Sequence, residues 1–179
     1  MRIISGKLKG KSIAFIKSAI TRPLKDSVKE NIFNIINHSK ILEINLQKSK
    51  ILDLYSGIGS FGLESISRGA NEIVFVEKDK SAAKILNKNL LSLKIENKAK
   101  VVVDEIKNFL IKNKTEKFDI FFLDPPFSNN QFLEDLQLIK QKRLYNNKHL
   151  IIIHREKKSS DNFQEIINPL IIKNMVDQK

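Results

Sequence analysis

The segment FDIFFLDPPF, residues 118–127, runs an apolar, strand-like stretch into Asp124, Pro125, Pro126 and Phe127. Proline holds φ at about −65° and has no N–H, so the two prolines make a stiff turn whose backbone polar groups are carbonyl oxygens alone. An ionised Asp124 is also an acceptor only. An acceptor-only corner beside the Phe127 ring suits a flat heterocycle bearing an amine. The ring stacks on Phe127 while the amine donates one hydrogen to Asp124 and the other to the Pro125 carbonyl. Donating both hydrogens draws the nitrogen towards tetrahedral geometry and frees its lone pair to attack an electrophilic methyl carbon. A lone DPPF would read as a strand-ending turn capped by a packed phenylalanine, so its neighbours have to decide.

Upstream, DLYSGIGSFG places Asp53, Ser56, Gly57, Gly59 and Gly62 between an apolar run and a helical one. Glycines at such a junction let the backbone turn tightly and approach a ligand at a helix N-terminus. The GxGxxG spacing alone fits a nicotinamide dinucleotide as readily as other cofactors. Asp53, four residues before the first glycine, sharpens it. An acid there can accept from, or pair with, an ammonium group, whereas a pyrophosphate would be repelled. The spacing therefore points to a nucleoside that carries an amino acid. Glu77, followed by Lys78, ends the next apolar run, and a carboxylate there can hold two ribose hydroxyls at once. Asp104 and Glu105 follow a third run and offer an acceptor to an adenine amine, although either could cap the helix that follows.

These residues need a frame that brings run ends together. KILDLY, EIVFVE, AKVVVD, DIFFLD and HLIIIH are short β-branched or aromatic runs, the form of strands buried on both faces of a parallel sheet. Helical segments alternate with them: SFGLESISRG, stopping at Gly69; KSAAKILNKNLLSLK, with Ala82, Ile85, Leu86, Leu90 and Leu93 on one face; EIKNFLIKN; and NQFLEDLQLIKQ. The alternation predicts an α/β, doubly wound, mostly parallel sheet with ligands at the carboxyl ends of the strands. The N-terminal part differs. RIISGKLKGKSIAF reads as a basic hairpin turning at Gly6 and Gly10. TRPLKDSVKENIFNIINH reads as a helix with Val28, Ile32, Ile35 and Ile36 on its apolar stripe and Asp26 or Thr21 as N-cap. We therefore expect an N-terminal appendage over 1–45 and a main domain over 46–179.

Composition narrows the classes. The 179 residues include no cysteine, which excludes thiolate metal sites and cysteine nucleophiles, and His38, His149 and His154 are scattered as structural residues rather than ligands. No metal is expected. No signal peptide or membrane-spanning run is present, so the expectation is a soluble, cytoplasmic monomer. The net charge of +12 suits a polyanionic partner. A chain rich in Lys, Asn and Ile also reflects AT-rich coding, but that bias would spread evenly. The first fifty residues instead carry 11 Lys and Arg against 3 Asp and Glu. Arg2, Lys7, Lys9, Lys11, Arg22, Lys25 and Lys29 are the candidate contacts.

Taken in order, MRIISGKLKGK, RPLKDSVKENIFN, ILDLYSGIGSFGLESISRGA, VFVEKD and FDIFFLDPPF, over roughly residues 1–130, resemble bacterial 16S ribosomal RNA guanine-N2 methyltransferases of the RsmD type, which depend on S-adenosylmethionine. The resemblance implies that Asp53, Gly57, Gly59, Glu77 and one of Asp104 or Glu105 hold that cofactor. It further implies that Asp124 to Phe127 hold the base, and that the basic N-terminal part grips 16S ribosomal RNA or a small-subunit assembly intermediate. The chain departs from the family at Leu24, where Thr is usual, and at Lys29, where Arg is usual; Lys keeps the charge but loses a bidentate fork. It also ends at NPLIIKNMVDQK, where the family continues into a closing hairpin, and only one strand, Leu170 to Lys173, can be placed there. The competing readings are an adenine-N6 methyltransferase acting on DNA or RNA, a nicotinamide-dependent oxidoreductase, and a non-catalytic RNA-binding assembly factor.

Overall fold

In the computed structural model, residues 1–15, 24–39, 42–126 and 130–155 are described. Thr21, Arg22, Phe127 and the strand expected at Leu170–Lys173 lie outside them. Five strands, β1 (Lys50–Leu54), β2 (Glu72–Glu77), β3 (Ala99–Val103), β4 (Phe118–Leu123) and β5 (Tyr145–Ile153), form one sheet in the order β3-β2-β1-β4-β5. Every pairing is parallel. The sheet starts at β1, winds outward to β3, then returns to the other side of β1 for β4. That reversal opens a crevice at the carboxyl ends of β1 and β4, the place where open α/β sheets bind ligands.

Side chains alternate faces along each strand, and the two faces build two cores. Ile51, Ile73, Phe75, Ile120 and Phe122 meet α1 (Asp26–His38), α2 (Ser60–Ser67) and α3 (Lys80–Leu93). Leu52, Leu54, Val74, Val76, Phe121 and Leu123 meet α4 (Ile106–Lys112) and α5 (Gln131–Gln141). The central strands are thus apolar at almost every position, which explains why they read as continuous runs. The helix stop expected at Gly69 also forms, with Gly69 following the C-cap Arg68 and donating to the Ile66 carbonyl at 3.0 Å.

The basic hairpin forms as an antiparallel bridge between Arg2 and Ser12. Its Ile3 and Ile13 enter the same core as α1 and the sheet. Attachment is largely through the backbone: Ile4 and Ser5 donate their N–H groups at 2.9 Å to the two oxygens of Glu64, which is fully buried in α2. Gly6 is required here, because at φ +81° a Cβ would stand 2.0 Å from the Ser67 carbonyl oxygen.

Two details of α1 differ from the sequence reading. Lys25 takes the N-cap position without capping the helix through its side chain, and Asp26 is the first helical residue, where its charge favours the helix dipole. The buried stripe is Lys29, Ile32, Phe33 and Ile36, with Val28 only partly covered and Ile35 outside it. Aromatic stacking explains the rotation. Phe33 stacks on Phe61 at 5.3 Å, and Phe61 stacks on Phe122 of β4 at 4.0 Å. The Arg68 guanidinium closes the column 4.4 Å above Phe33.

Candidate active site at the carboxyl ends of the strands

The β1–β2 side of the crevice, where a cofactor was expected, is built from carboxylates wired to backbone. Asp53, the penultimate residue of β1, is 1 % exposed and accepts the Gly62 N–H at 3.0 Å. Gly62 permits that approach, since a Cβ on it would stand 2.2 Å from the Phe75 ring. Burial pushes the Asp53 carboxyl well above the usual range; the Gly62 bond opposes this, and the charges of Asp124 and Glu77 add to it. Glu77 closes β2 and holds the glycine loop, accepting the Gly57 N–H at 2.7 Å on one oxygen and the Asp79 N–H at 2.8 Å on the other. Each oxygen keeps a further lone pair. Gly59 turns the loop into α2 at φ +83° as its N-cap. Ser56 and Ser60, on either side, carry buried hydroxyls with no hydrogen-bond partner among the described residues. Such groups are costly unless something else bonds them.

The third run end behaves differently. Asp104 binds Lys112 at 2.8 Å, Asn108 at 3.1 Å and the Glu105 N–H at 2.8 Å, so its carboxylate is turned onto the start and outer face of α4. Lys112 first, then Asn108, holds it below the usual carboxylate range. Glu105 is exposed and takes the N-cap position without a side-chain bond. Lys78 is exposed.

On the β4–β5 side, where a base was expected, Asp124 directly follows β4. Its Oδ1 lies 2.8 Å from Nδ1 of His154, and the two side chains are 26 % and 29 % exposed. A carboxylate can only accept, which assigns the shared hydrogen to Nδ1. His154 directly follows β5 and extends its ladder, donating its N–H to the Leu123 carbonyl at 2.9 Å. Next to it, Arg155 donates to the Pro126 carbonyl at 3.2 Å and stacks 4.8 Å above the Phe132 ring. Pro125 is buried and Pro126 exposed. Treating His154 as structural thus overlooked its partner; the available signal was its place at the end of a fifth strand-like run.

Tyr55 was also overlooked. It leaves β1 at φ +59°, uncommon for a residue with a side chain, and its hydroxyl donates at 2.6 Å to Asp135, fully buried in α5. Burial, then the Asp135 bond, pushes the Tyr55 hydroxyl up, and burial likewise pushes up Asp135.

Of the basic candidates, Arg2, Lys7, Lys9, Lys11 and Lys25 are exposed. Lys29 corrects the sequence reading: it is 1 % exposed, lies within the α1 packing face and pairs with Asp26 at 3.0 Å, so it is not displayed to a partner. Among the described residues no group of His, Cys, Asp and Glu is placed to hold a metal ion, and no helix is long and apolar enough to cross a membrane.

Comparison with known proteins adds an independent line. The family described as Conserved hypothetical protein 95 matches residues 1–174. Ribosomal RNA small subunit methyltransferase D of Haemophilus influenzae is 33 % identical over 159 residues, covering 88 % of this chain and 79 % of that one. The protein of the same name from Buchnera aphidicola subsp. Baizongia pistaciae is 34 % identical over 156 residues, covering 87 % and 76 %. Among solved structures, the hypothetical protein TTHA0928 of Thermus thermophilus superposes with a TM-score of 0.75 at 26 % identity, covering 89 % of this chain and 88 % of that one.

Proposed function

Because the chain belongs to the Conserved hypothetical protein 95 family, together with the small-subunit ribosomal RNA methyltransferases D, we propose that it methylates the exocyclic N2 amine of a guanine in 16S ribosomal RNA, with S-adenosylmethionine as donor. The observation that carries this reading is the placement of Asp124 and the Asp53–Glu77 loop on either side of the crevice where the strand order reverses. The loop fits the donor's chemistry. Asp53 is a buried acid whose charge wants a cation, Glu77 retains acceptor capacity for ribose hydroxyls, and the Ser56 and Ser60 hydroxyls lack partners among the described residues. A donor with an ammonium group, a sulfonium and a ribose satisfies all three, whereas a pyrophosphate would meet Asp53 as a like charge. Bound there, the cofactor supplies a methyl carbon already activated by positive sulfur.

The chain's own residues then orient the acceptor. Asp124 takes one hydrogen of the guanine amine and the Pro125 carbonyl the other, with Phe127 as the stacking ring. This aims the nitrogen lone pair at the loop, and holding the reacting atoms in line accounts for much of the acceleration. The negative charge of Asp124 stabilises the positive charge that develops on nitrogen. No strong base is needed, because the amine proton becomes acidic once the nitrogen is alkylated. Arg2, Lys7, Lys9, Lys11 and Lys25 are exposed for phosphate contacts that position the RNA.

Mass spectrometry of 16S ribosomal RNA from cells lacking this protein tests the reading. We expect one N2-methylguanosine to disappear and to return with the wild-type chain but not with Asp124→Ala. Loss of an N6-methyladenosine in its place would overturn the guanine assignment.

A further inference from the structure

The contact between β4 and β5 at the carboxyl edge carries more than the family reading. Asp124 is a short, partly exposed acid at the end of a strand, and among the described residues of its own loop none bonds its carboxylate. The two prolines have no N–H to give it. What does reach it is His154, whose Nδ1 meets Oδ1 at 2.8 Å. The backbone of His154 is itself pinned to Leu123, the residue before Asp124. Arg155 holds the Pro126 carbonyl at 3.2 Å, so two successive residues of β5's end grip two points of the Asp124–Pro126 turn.

We propose that His154 is a positioning residue for methyl transfer: its Nδ1–H sets the plane of the Asp124 carboxylate, and its charge state sets how much negative charge Asp124 presents to the amine. The proposal rests on the reading of Asp124 as the group that holds the base amine. With Oδ1 occupied by His154, Oδ2 is the oxygen directed to the substrate. In the step itself the nitrogen–carbon bond forms as the carbon–sulfur bond breaks, sulfur keeps the electron pair, and the proton then leaves nitrogen for water. Positive charge therefore appears on nitrogen during transfer. A neutral imidazole leaves the Asp124 charge unbalanced and able to stabilise that nitrogen; an imidazolium cancels it.

Among the described residues, charged and titratable groups from several elements lie around this corner. Asp124 comes from β4, Asp53 and Tyr55 from β1 and its loop, Asp135 from α5, and Arg155 from His154's own segment. Asp53 is close enough to feel the Asp124 charge, and Arg155 acts on Tyr55 in the sense opposite to Asp135. In general, negative charge near an imidazole favours its protonated form and positive charge opposes it. Activity should therefore rise with pH as the imidazole loses its proton and then level off.

Single-turnover methyl transfer to small-subunit ribosomal RNA, with the full chain and radiolabelled S-adenosylmethionine across a range of roughly pH 5.5–9 that brackets the histidine titration, provides the test. His154→Leu removes the donor and should lower the rate about 10- to 100-fold with cofactor affinity retained. His154→Asn places a non-titrating amide donor near the Nδ1 position; it should recover at least about tenfold of that loss and show no ionisation of the wild-type kind. Full activity in His154→Leu, or a wild-type pH profile in His154→Asn, would overturn the proposal. Should the variants fold poorly, ¹⁵N spectra of the wild-type imidazole serve instead. The rate should follow the imidazole's own titration, and a rate that stays flat through that titration also overturns it. If His154→Leu is fully active while Asp124→Ala is dead, only this inference falls; if Asp124→Ala turns over normally, the reading beneath it falls as well.

Discussion

The two halves of the crevice hold their acids by different means. On the β1–β2 side, proposed to hold the cofactor, Asp53 and Glu77 are bonded by backbone N–H groups of the glycine loop and the turn after β2. On the β4–β5 side, proposed to hold the base, Asp124 is bonded by the side chain of His154, the residue after β5. Backbone donors cannot titrate or be exchanged for another residue's chemistry, so the geometry of the first side is fixed by the path of the chain. The second is fixed by residue identity, which leaves its geometry open to change by substitution.

Asp124→Ala should break the contrast most severely. It removes the acceptor without touching the glycine loop, so methyl transfer should fall by about 10²- to 10³-fold while cofactor binding, read by calorimetry, persists. Equal loss of both would show that the halves are not separable.

Asp53→Asn probes the other half. Burial raises the Asp53 carboxyl, and a cationic ligand beside it should draw it back down, which couples ligand binding to loss of the Asp53 proton. Calorimetry in buffers of differing ionisation enthalpy should therefore show proton release on cofactor binding, with affinity that improves as pH rises. The asparagine variant should bind about 10- to 100-fold more weakly and release no proton from this site. The stability sign is opposite to that of a paired acid. A raised folded-state value means that stability from this group is present at low pH and is lost as pH rises through that value. Denaturant unfolding should show Asp53→Asn gaining on the wild type at the alkaline end.

Smaller effects lie away from the crevice. Replacing Lys7, Lys9 and Lys11 by Gln should weaken RNA binding and reduce its salt slope by about 2, given some 0.7 per phosphate contact on single strands. An unchanged slope would remove the hairpin from the interface. Asp104→Asn should change cofactor affinity by about twofold or less, because that carboxylate is bonded to Lys112 and Asn108. A large loss would return Asp104 to the cofactor site.

What was legible in the sequence follows the same division. The strand-like runs and the helical segments after residue 50 were readable because β1, β2 and β4 are buried on both faces and so leave nearly unbroken apolar runs. Asp53, Glu77 and the glycines were readable as strand-end residues of one loop system. Two kinds of information were not. The orientation of α1 depends on Phe33 meeting Phe61 and Phe122, contacts that helical periodicity alone does not contain. The pairings Tyr55 with Asp135 and Asp124 with His154 span 80 and 30 positions and arise only when α5 meets the end of β1 and β5 pairs with β4. Lys29 failed for a related reason: a basic residue on a helix reads as solvent-facing until its neighbours turn it inward.

The aromatic column has one more implication. Its rings run from the sheet strand that delivers Asp124, through α2, to α1, and the arginine at its far end shares Glu64 with the hairpin's backbone. Among the described residues, the hairpin proposed to grip RNA and the strands that frame the crevice thereby share one packed core. On that proposal, discrimination between correct and incorrect RNA rests on how well a folded nucleic acid fits a surface already set, and loosening Phe61 should cost selectivity even where the fold survives.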